Sequence, residues 1–560
     1  MTIKEKQNRI KAIGELLTNK INSRDELMAI KRKLSKKYGL ALLANSEILH
    51  EYKNRLDRGV INRLPILEKT LRKRTVRTMS GIAPVAVLTK AYPCPGQCVY
   101  CPKEKNVPQS YLSNEPAVMR AIRCKFDPYK QVQLRLEALV ANGHEPTKIE
   151  LIVIGGTWSV LPEKYKYWYI KECFRAANEF GSVILEPKAI ESHGYRSDNK
   201  MRCYRSSASW RIRSSMTELK KQLLLEQRKN ESAKYKIIGI TLETRPDYIN
   251  EKELWEMREL GATRVEIGVQ AIDDKILKLN KRGHGVSEIV QATKLLKDFG
   301  FKVTYHIMPG LPGSTAKKDL AMFKQLFTDS RFQPDQIKFY PTVVTRGSLL
   351  YKWWKNGKYK PYSDKVLQEL IVKCKKAVPP YVRIIRLIRD IPGESIIAGN
   401  RITNLRQIMK DRGVVCRCIR CREAGERELG IRNYELRIIK YQASGGVEYF
   451  LSYEFKDGKV LYGFCRLRLA ENNLMGAAII RELHVYGELV SVPSASSGQV
   501  AKIKKTQHSG LGKRLMTEAE KIARKNGYKK IAVISGIGVR GYYRKLGYKL
   551  VGSYMVKNLL

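Results

Sequence analysis

Three cysteines lie within one short stretch of the chain. The run CPGQCVYCP places Cys94, Cys98 and Cys101 in a C-x3-C-x2-C array. Three thiolates hold three irons of a 4Fe–4S cluster and leave the fourth iron open to another ligand. The alternative is a zinc knuckle that lacks a ligand, but the nearest cysteine downstream is Cys124. The spacing therefore favours an iron–sulfur cluster with one iron available for chemistry.

A second group of cysteines, Cys416, Cys418 and Cys421, forms a C-x-C-x2-C array. Tight, odd-numbered groups in a chain that lacks an apolar signal segment indicate metal ligands rather than disulfides. We therefore expect a second metal site here. The remaining cysteines are scattered singly: Cys124, Cys173, Cys203, Cys374 and Cys465.

Several residues at the ends of apolar runs are candidates for ligand binding. Gly155 and Gly156 end one run, and glycines at such a point let the backbone approach a ligand closely. Glu243, Arg245 and Gln270 end later runs and are expected at the same rim. Structural ion pairs would explain these three polar residues equally well.

A glycine-rich turn near the C-terminus is a candidate phosphate site. The run QHSGLG, from Gln507 through Gly510 to Gly512, lies between the apolar run ELHVYG and an amphipathic helix. Glycines let backbone amides at a helix N-terminus point at a pyrophosphate group. Two tyrosines, Tyr542 and Tyr543, follow in the last apolar segment.

The elements that must position these residues fall into two patterns. Up to about residue 390, apolar β-rich runs alternate with helical segments, which indicates a parallel sheet covered on both faces and predicts a full or partial (β/α) barrel. After residue 430, alternating strands separated by turn signals indicate an antiparallel α+β domain. The predicted barrel strands lie at 85–89, 149–156, 236–244, 263–270, 302–310, 336–344 and 382–390. The predicted regions are a basic helical region at 1–80, the barrel at 81–390, a cysteine-containing linker at 391–430 and the α+β domain at 431–560.

Charge is the strongest bulk signal. The chain has 105 Lys and Arg against 54 Asp and Glu, a net charge of +51, and residues 1–80 alone hold 20 against 8. Thermophile composition usually enriches Glu alongside Lys, so this excess favours a nucleic-acid partner. No apolar stretch approaches the roughly 20 residues of a membrane helix, so no membrane partner is expected and the protein is expected in the cytoplasm.

The motifs together resemble one known family. The glycines at 155–156 resemble the Gly-Gly-Glu element of radical S-adenosylmethionine (SAM) barrels, and Gln507–Gly512 fits the Q-x-x-G-x-G turn of GNAT acetyltransferases. The stretches TMSGIAPVAVLTKAYPCPGQCVYCP, TKIELIVIGGTW, GITLETRPDY, ELHVYG and IAVISGIGVRGYYRKLGY closely resemble the catalytic subunit of Elongator, in order, over most of residues 65–560.

The resemblance implies a partial radical SAM barrel fused to a GNAT domain, and an acyltransferase that forms 5-carboxymethyluridine at the wobble position of tRNA. In such an enzyme, reductive cleavage of SAM at a 4Fe–4S cluster gives a radical that takes a hydrogen atom from the acetyl methyl of acetyl-CoA. The carbon radical adds to the base, and hydrolysis of the thioester leaves a carboxymethyl group. The implied partners are the anticodon stem-loop, which residues 1–80 would bind, and an unidentified electron donor.

The resemblance also assigns site residues. Gly155, Gly156, Glu243, Arg245 and Gln270 would bind SAM. Acetyl-CoA would contact Lys148, Glu482, Leu483, His484, Val485, Gln507, Gly510, Leu511, Gly512, Lys513 and Tyr543. Catalytic roles are expected for Lys148, Tyr543, Glu482 and His484, although spacing alone would make Lys148 a plain surface lysine. The Cys416–Cys421 array resembles the family's structural zinc site, for which the fourth ligand is not evident and Cys374 is only a guess.

Some alternatives remain open at this stage. Residues 181–230 are longer and more basic than the family leads us to expect, which fits either an RNA contact or an unstructured insertion. A protein lysine acetyltransferase with a structural cluster would use Glu482 or His484 as its base. An RNA-binding module with degenerate sites is disfavoured because the cysteine triad and the glycine-rich turn are intact. The choice of tRNA and the oligomeric state, including a homo-oligomer, are open.

Overall fold

The computed structural model describes residues 2–71, 81–181, 214–424, 434–470, 476–486 and 510–559. Gln507 and Cys203 lie outside the described residues, as does most of the basic 181–230 stretch. The described residues form an N-terminal helical unit, a parallel-sheet domain and a C-terminal domain built on a second sheet. No helix within these residues is long and apolar enough to cross a bilayer.

The N-terminal unit consists of four helices around an apolar core of their own. Helices α1 and α2 begin where the Thr2 and Ser23 hydroxyls accept backbone N–H groups, as good N-caps do. Leu16, Leu34 and Tyr52 are buried in the shared core. The helices are α1 (Ile3–Thr18), α2 (Arg24–Lys37), α3 (Asn45–Asp57) and α4 (Pro65–Leu71).

The central domain is a seven-stranded, all-parallel open barrel, which confirms the predicted fold class. Its strands are nearly continuous apolar runs because helices cover their outer face. The strand order is β1-β2-β3-β4-β5-β6-β8, so β1 and β8 form the two edges. The strands are β1 (Ala83–Leu88), β2 (Lys148–Ile154), β3 (Lys236–Thr244), β4 (Arg264–Gln270), β5 (Lys302–Ile307), β6 (Gln336–Phe339) and β8 (Arg383–Arg386), with β7 (Val344–Thr345) and β9 (Ile396–Ala398) forming a separate pair.

Ten helices of the described chain connect these strands. Helix α6 also packs against α3, which joins the N-terminal unit to the barrel. Helix α8 occupies the last part of the basic insertion. The helices are α5 (Pro116–Arg123), α6 (Pro128–Ala141), α7 (Glu163–Glu179), α8 (Met216–Ser232), α9 (Glu251–Glu259), α10 (Asp274–Leu279), α11 (Val286–Asp298), α12 (Ala316–Thr328), α13 (Leu349–Lys355) and α14 (Asp364–Ala377).

One predicted strand is divided in the structure. The run 336–344 gives β6 in the barrel and then β7, which pairs antiparallel with β9. The Tyr340 backbone N–H donates to Ile307, after which Pro341 follows. The Thr342 N–H still donates to Pro309, but Val344 and Thr345 pair with β9 instead of a barrel strand. The prediction of one continuous strand was therefore wrong.

The C-terminal domain is a seven-stranded, mostly antiparallel sheet with a helix packed on one face, which confirms the predicted α+β class. Only β13 and β14 are parallel neighbours. The strands, in the order β10-β11-β12-β13-β14-β16-β15, are β10 (Tyr434–Ala443), β11 (Gly446–Phe455), β12 (Leu461–Leu469), β13 (Ala478–Val485), β14 (Lys530–Val533), β16 (Tyr554–Asn558) and β15 (Lys549–Val551). The helices are α15 (Leu405–Asp411) and α16 (Ile419–Arg422) before the sheet, and α17 (Leu511–Lys525) and α18 (Arg540–Arg544) within it.

A buried network of charges joins the barrel to the C-terminal domain. Arg481 contacts Asp335 at 2.5 Å, and Arg468 contacts Asp298 at 2.6 Å. Burial acts to raise the pKa of Asp335, but the Arg481 charge and its neighbours outweigh that effect and hold the pKa well below its usual range. The network also includes Lys297, Glu448 and Arg466. Buried charges need such partners, so the network fixes how the domains meet.

Candidate functional site

One cavity of about 1070 Å³ runs through the open barrel. The three thiols of Cys94, Cys98 and Cys101 line it where the parallel strands end. At the other end it is lined by Glu482 and His484 of β13, which belong to the C-terminal domain. The cavity therefore connects both predicted sites within one continuous space.

The three cysteines lie in the loop that follows β1. The Arg282 guanidinium donates to the Cys98 sulfur at 3.1 Å, and the Cys94 sulfur lies 3.8 Å from the Thr157 hydroxyl. A hydrogen bond with Cys101 is the largest cause that lowers the pKa of Cys98 to about 5, and the Arg282 charge adds to it against the effect of burial. This environment favours a thiolate, the form that binds metal.

The space beside these thiols suits a bound group. A Cβ on Gly96 would collide with the Arg245 guanidinium and lie 3.4 Å from the Cys98 sulfur. Nη2 of Arg245 donates to Asp247 and to the Arg282 carbonyl, whereas its Nη1 is buried with no hydrogen-bond partner among the described residues. A spare cationic donor beside three thiols fits an anionic iron–sulfur cluster and a carboxylate ligand.

The predicted rim residues surround the same end of the cavity. Gly155 and Gly156 have φ values of 137° and 96°, which only glycine adopts easily, and a Cβ on Gly155 would overlap the Thr89 hydroxyl. Gln270 also has a positive φ, 68°, and its buried Oε1 has no partner in the described chain. The structure thus brings Gly156, Glu243, Arg245 and Gln270 to one cavity wall.

Glu243 is engaged by neighbouring side chains. The Tyr111 hydroxyl donates to its carboxylate at 2.8 Å, and Nδ1 of His306 lies 3.7 Å from it. Arg245 is likewise paired with Asp247. Of the ion pairs that the sequence left open as an alternative, the structure shows the one between Arg245 and Asp247, at the same wall as the candidate ligand contacts.

Sequence reasoning missed a layer of charged residues deeper in the barrel. Glu266, His306 and Lys338 project from β4, β5 and β6 into the cavity. Nε2 of His306 lies 2.9 Å from the Glu266 carboxylate, which also forms an ion pair with Lys338. Burial raises the pKa of Glu266, but Lys338 and His306 outweigh that effect and hold it well below its usual range. The available signal was a charged or titratable residue inside each of three predicted strands.

The end of the cavity that lies on the C-terminal domain is built on two strands that separate. The parallel pair β13 and β14 is in register only from Ala478 to Ile480, and Arg481 is an extra residue opposite β12. After this bulge, Leu483 and Val485 pack towards the core that contains α17, whereas Glu482 and His484 face the cavity. The separation leaves the edge of β13 without its parallel neighbour over these four residues.

Glu482 and His484 have different electrostatic surroundings. Glu482 accepts a hydrogen bond from Arg466 at 2.9 Å and lies 3.7 Å from Lys302; despite burial, the Lys302 and Arg466 charges lower its pKa. His484 lies between the rings of Phe464 and Tyr486, and burial is the largest cause that lowers its pKa to about 4. Its buried Nε2 has no partner within the described residues. Glu482 is therefore a carboxylate and His484 a neutral imidazole.

The glycine-rich turn leads into α17. Gly510 has a φ of 80° and precedes the helix, Leu511 is buried and Lys513 is exposed. A Cβ on Gly512 would lie 2.7 Å from the Tyr542 hydroxyl, so only a small residue lets the two segments approach. Tyr543 is buried against Tyr542 and Tyr548. The turn and the tyrosine helix α18 thus lie together.

Lys148 lies at the end of the barrel that faces the C-terminal domain. It is the first residue of β2 and pairs with Lys236 of β3. A Cβ on Gly538, in the turn before α18, would lie 2.6 Å from Cβ of Lys236. Burial lowers the pKa of Lys148, so it is not a plain surface lysine. The cavity wall on this strand begins two residues further along, at Glu150.

The second cysteine group converges on a single point. The sulfur atoms of Cys416, Cys418 and Cys421 all lie within 4.8 Å of one another, and no other Cys, His, Asp or Glu of the described ranges joins them. Cys374 instead lines a small apolar cavity with Phe323. The suggestion that Cys374 is a fourth ligand was therefore wrong. The three thiols are one ligand short of a closed structural zinc site.

Comparison with known proteins agrees with this architecture. Family sequence models match residues 212–326 (Radical SAM superfamily), 334–412 (Radical SAM C-terminal domain) and 428–548 (Acetyltransferase (GNAT) family). A tRNA uridine(34) acetyltransferase of Dehalococcoides mccartyi is 43% identical, covering 87% of this chain and all of that protein. Elongator complex protein 3 of Homo sapiens is 38% identical over 98% of this chain and 96% of its own length.

The chain belongs to the family of Elongator complex protein 3. A solved structure of this family, an N-terminally truncated Elp3 of the archaeon Methanocaldococcus infernus, is 40% identical and superposes with a TM-score of 0.68, covering 85% of this chain and 99% of the truncated one. The resemblance drawn from the motifs is thus confirmed. Like its relatives, this Elongator-family protein is an enzyme of the radical SAM acyltransferase type.

Proposed function

We propose that this protein modifies the wobble uridine of tRNA, using acetyl-CoA and SAM to form 5-carboxymethyluridine. The observation that carries the proposal is the single cavity that joins the three cysteine thiols to Glu482 and His484 of the acetyltransferase domain. The name of the relatives, tRNA uridine(34) acetyltransferase, supports the position of the modified base. The net charge of +51 supports a polyanionic substrate.

At the cysteine end, we assign Cys94, Cys98 and Cys101 as ligands of a 4Fe–4S cluster. When bound, the cluster and SAM would supply the reductive cleavage that gives a radical able to take a hydrogen atom from an acetyl methyl group. Gly156 leaves backbone open to the SAM amino acid moiety, Gly155 beside it packs closely on Thr89, and Nη1 of Arg245 offers a donor to an anionic group. Glu243 and Gln270 complete this wall.

At the other end, we assign the turn from Gly510 to Lys513 to the CoA pyrophosphate and the separated edge of β13 to the pantetheine arm. Arg466 and Lys302 keep Glu482 ionised, so we assign Glu482 the role of orienting the acetyl end of acetyl-CoA and the side chains beside it. His484 is neutral and its Nε2 is available, so it takes a proton from the water that hydrolyses the thioester. Lys148 and Tyr543 would contact acetyl-CoA from the two domains.

We also propose that Cys416, Cys418 and Cys421 hold a structural zinc ion. Their mutual approach within 4.8 Å supports a mononuclear site. Metal analysis of purified protein tests this assignment. We expect zinc to remain in a Cys98→Ser variant while the iron is lost, and zinc to be lost in Cys418→Ser. Loss of both metals together from Cys98→Ser would contradict two separate sites.

The proposed activity is tested with iron-reconstituted protein, tRNA, SAM, a reductant and acetyl-CoA labelled in its methyl carbon. Mass spectrometry of the digested tRNA should show labelled carboxymethyluridine only when SAM is present. Absence of any modified uridine would contradict the proposal. Acetylation of a protein lysine at the same rate without SAM would favour the alternative of a protein acetyltransferase.

A further inference from the structure

A layer of charged side chains crosses the middle of the cavity. Strands β4 to β6 contribute one residue each, Glu266, His306 and Lys338, and Glu243 of β3 lies next to His306. Glu243 is opposite Glu266 in the sheet register, and His306 is opposite Lys338. Inward positions of a parallel barrel are usually filled by branched apolar residues. A charged layer at this depth therefore indicates a ligand or a reaction rather than packing.

The hydrogen bonds within this layer are incomplete. Oε2 of Glu266 faces Nε2 of His306 and the Lys338 ammonium. Glu266 is only 1% exposed, yet its buried Oε1 has no hydrogen-bond partner among the residues described. An ionised carboxylate oxygen accepts strong hydrogen bonds, and a lysine carries three donors. The layer thus presents an open acceptor beside a donor.

This pair matches one edge of a nucleobase. Uracil has an N3–H donor flanked by two carbonyl acceptors, so Oε1 of Glu266 can accept from N3–H while Lys338 donates to a neighbouring carbonyl. Cytosine has a bare N3 acceptor at the same place, which would face the carboxylate. Gln270, at the cysteine rim, is four residues along β4 from Glu266, but β4 bulges between Ile267 and Gln270, and the neighbouring strand advances only from Thr304 to Ile307, or about 10 Å. That span accommodates a base between the layer and the rim.

The open side of the barrel gives a nucleotide access to the layer. It lies between the edge strands β1 and β8, where Arg120, Arg386 and Arg406 are among the cavity-lining residues. Enzymes that act on a base within a folded nucleic acid extrude that base into a pocket. Arginines at the opening are suited to the phosphates on either side of an extruded base.

We propose that Glu266 and Lys338 recognise the Watson–Crick edge of an extruded uracil, and that Glu266 excludes cytosine. The inference rests on the proposed function and identifies residues that choose its substrate base. The Glu266 carboxylate accepts a hydrogen bond from N3–H of uracil. N3 of cytosine carries a lone pair instead, which the carboxylate repels. Sites that hydrogen-bond a substrate group reject analogues that lack it much more strongly than apolar pockets do.

The test uses anticodon stem-loops that differ only at the wobble base: uridine, cytidine or N3-methyluridine. Binding to the full-length protein is measured by competition, independently of any radical chemistry. We expect wild type to bind the uridine stem-loop about 10–100-fold more tightly than either of the others, the range expected for the loss of one hydrogen bond to a charged group. The N3-methyl substrate needs no change in the protein, so this arm does not depend on how a variant folds.

The protein variants are Glu266→Gln, Lys338→Met and Glu150→Gln as the matched control. Glu150 lines the same cavity but is paired with Arg264 at 2.8 Å. Glu266→Gln should lose the preference for uridine over cytidine, because an amide can donate to cytosine N3, while Glu150→Gln keeps it. Lys338→Met should weaken uridine binding without improving cytidine binding.

Two results would overturn the inference: tight binding of the N3-methyluridine stem-loop by wild type, or an unchanged preference in a Glu266→Gln variant with a wild-type circular dichroism spectrum. Failure of the proposed function gives a different result, because wild type would then leave uridine 34 unmodified in the labelled acetyl-CoA assay. If wild type modifies uridine while Glu266→Gln discriminates normally, only the base-recognition inference fails.

Discussion

The two ends of the barrel treat buried polar atoms in opposite ways. At the end that faces the C-terminal domain, buried charges are paired across the interface, as Asp335 is with Arg481 and Asp298 with Arg468. At the cysteine end, Nη1 of Arg245 and Oε1 of Gln270 are buried without partners in the described parts of the chain. Nζ of Lys297 and Nη1 of Arg466, at the interface, also lack hydrogen bonds, but each lies 3.6 Å from the Asp335 carboxylate, so a counter-charge accompanies them.

The difference indicates that one end of the barrel joins the two domains and the other end binds a ligand. Paired charges at the domain interface fix the geometry, and removing one leaves others unpaired inside the protein. Unpaired donors and acceptors at the cysteine end retain hydrogen-bonding capacity for a ligand. Substitutions at the interface should therefore reduce stability, and substitutions at the cysteine end should reduce activity.

The largest effect is expected for Cys98→Ser. Two remaining thiolates do not retain a 4Fe–4S cluster well, so iron absorbance should be lost and tRNA modification should fall by about 10³-fold or more. Acetyl-CoA binding and the unfolding midpoint should stay near wild type. Cys124→Ser is the control, since Cys124 lies outside the loop, and it should keep the iron. Normal tRNA modification by Cys98→Ser would contradict the assignment of activity to the cysteine end.

Substitutions at the interface end should reduce the free energy of unfolding. Asp335→Ala leaves Arg481, Arg466 and Lys297 without their shared carboxylate and should reduce the free energy of unfolding by about 3–5 kcal/mol in urea titrations. Asp329→Ala removes a pairing with the exposed Arg331 and should cost about 1 kcal/mol or less. Equal losses for the two variants would show that the network does not hold the domains.

Lys148 and Tyr543 test whether the two domains share one acetyl-CoA molecule. Lys148→Ala and Tyr543→Phe should each slow acetyl-CoA hydrolysis by about tenfold, and tRNA should stimulate hydrolysis in wild type. Lys549→Ala, an exposed lysine on β15, should have almost no effect, as most surface substitutions do. A Lys148→Ala enzyme that hydrolyses and modifies at wild-type rates would refute the shared site.

The smallest effect is expected from removal of the N-terminal 75 residues. These helices are basic and pack through α3 against α6 of the barrel. The truncated protein should bind tRNA several-fold more weakly at low salt, with a shallower salt dependence because fewer counterions are released. If the truncated and full-length proteins gave the same slope and affinity, the tRNA contacts would lie on the barrel or the C-terminal domain.

Local patterns predicted much of the fold and little of the internal chemistry. Continuous apolar runs and glycine positions predicted both sheets, because strand burial and positive φ are local requirements. The division of the run 336–344 was not visible locally, because it depends on the pairing of Val344 and Thr345 with the distant strand β9. Glu266 and Lys338 lie in separate strands, and Asp335 and Arg481 lie 146 residues apart. Only the folded chain brings such residues together.

The bulge at Arg481 sets which residues of β13 face the barrel and which face helix α17. Because of this one extra residue, Arg481 and Glu482 both project towards the barrel, while Leu483 and Val485 stay with the helix side. Side chains of a strand alternate between faces, so deleting Arg481 would restore the regular alternation and leave Glu482 and His484 on the barrel side, but it would remove the partner of Asp335. The bulge thus lets two consecutive residues serve the barrel, one as a charge partner at the interface and one in the cavity wall.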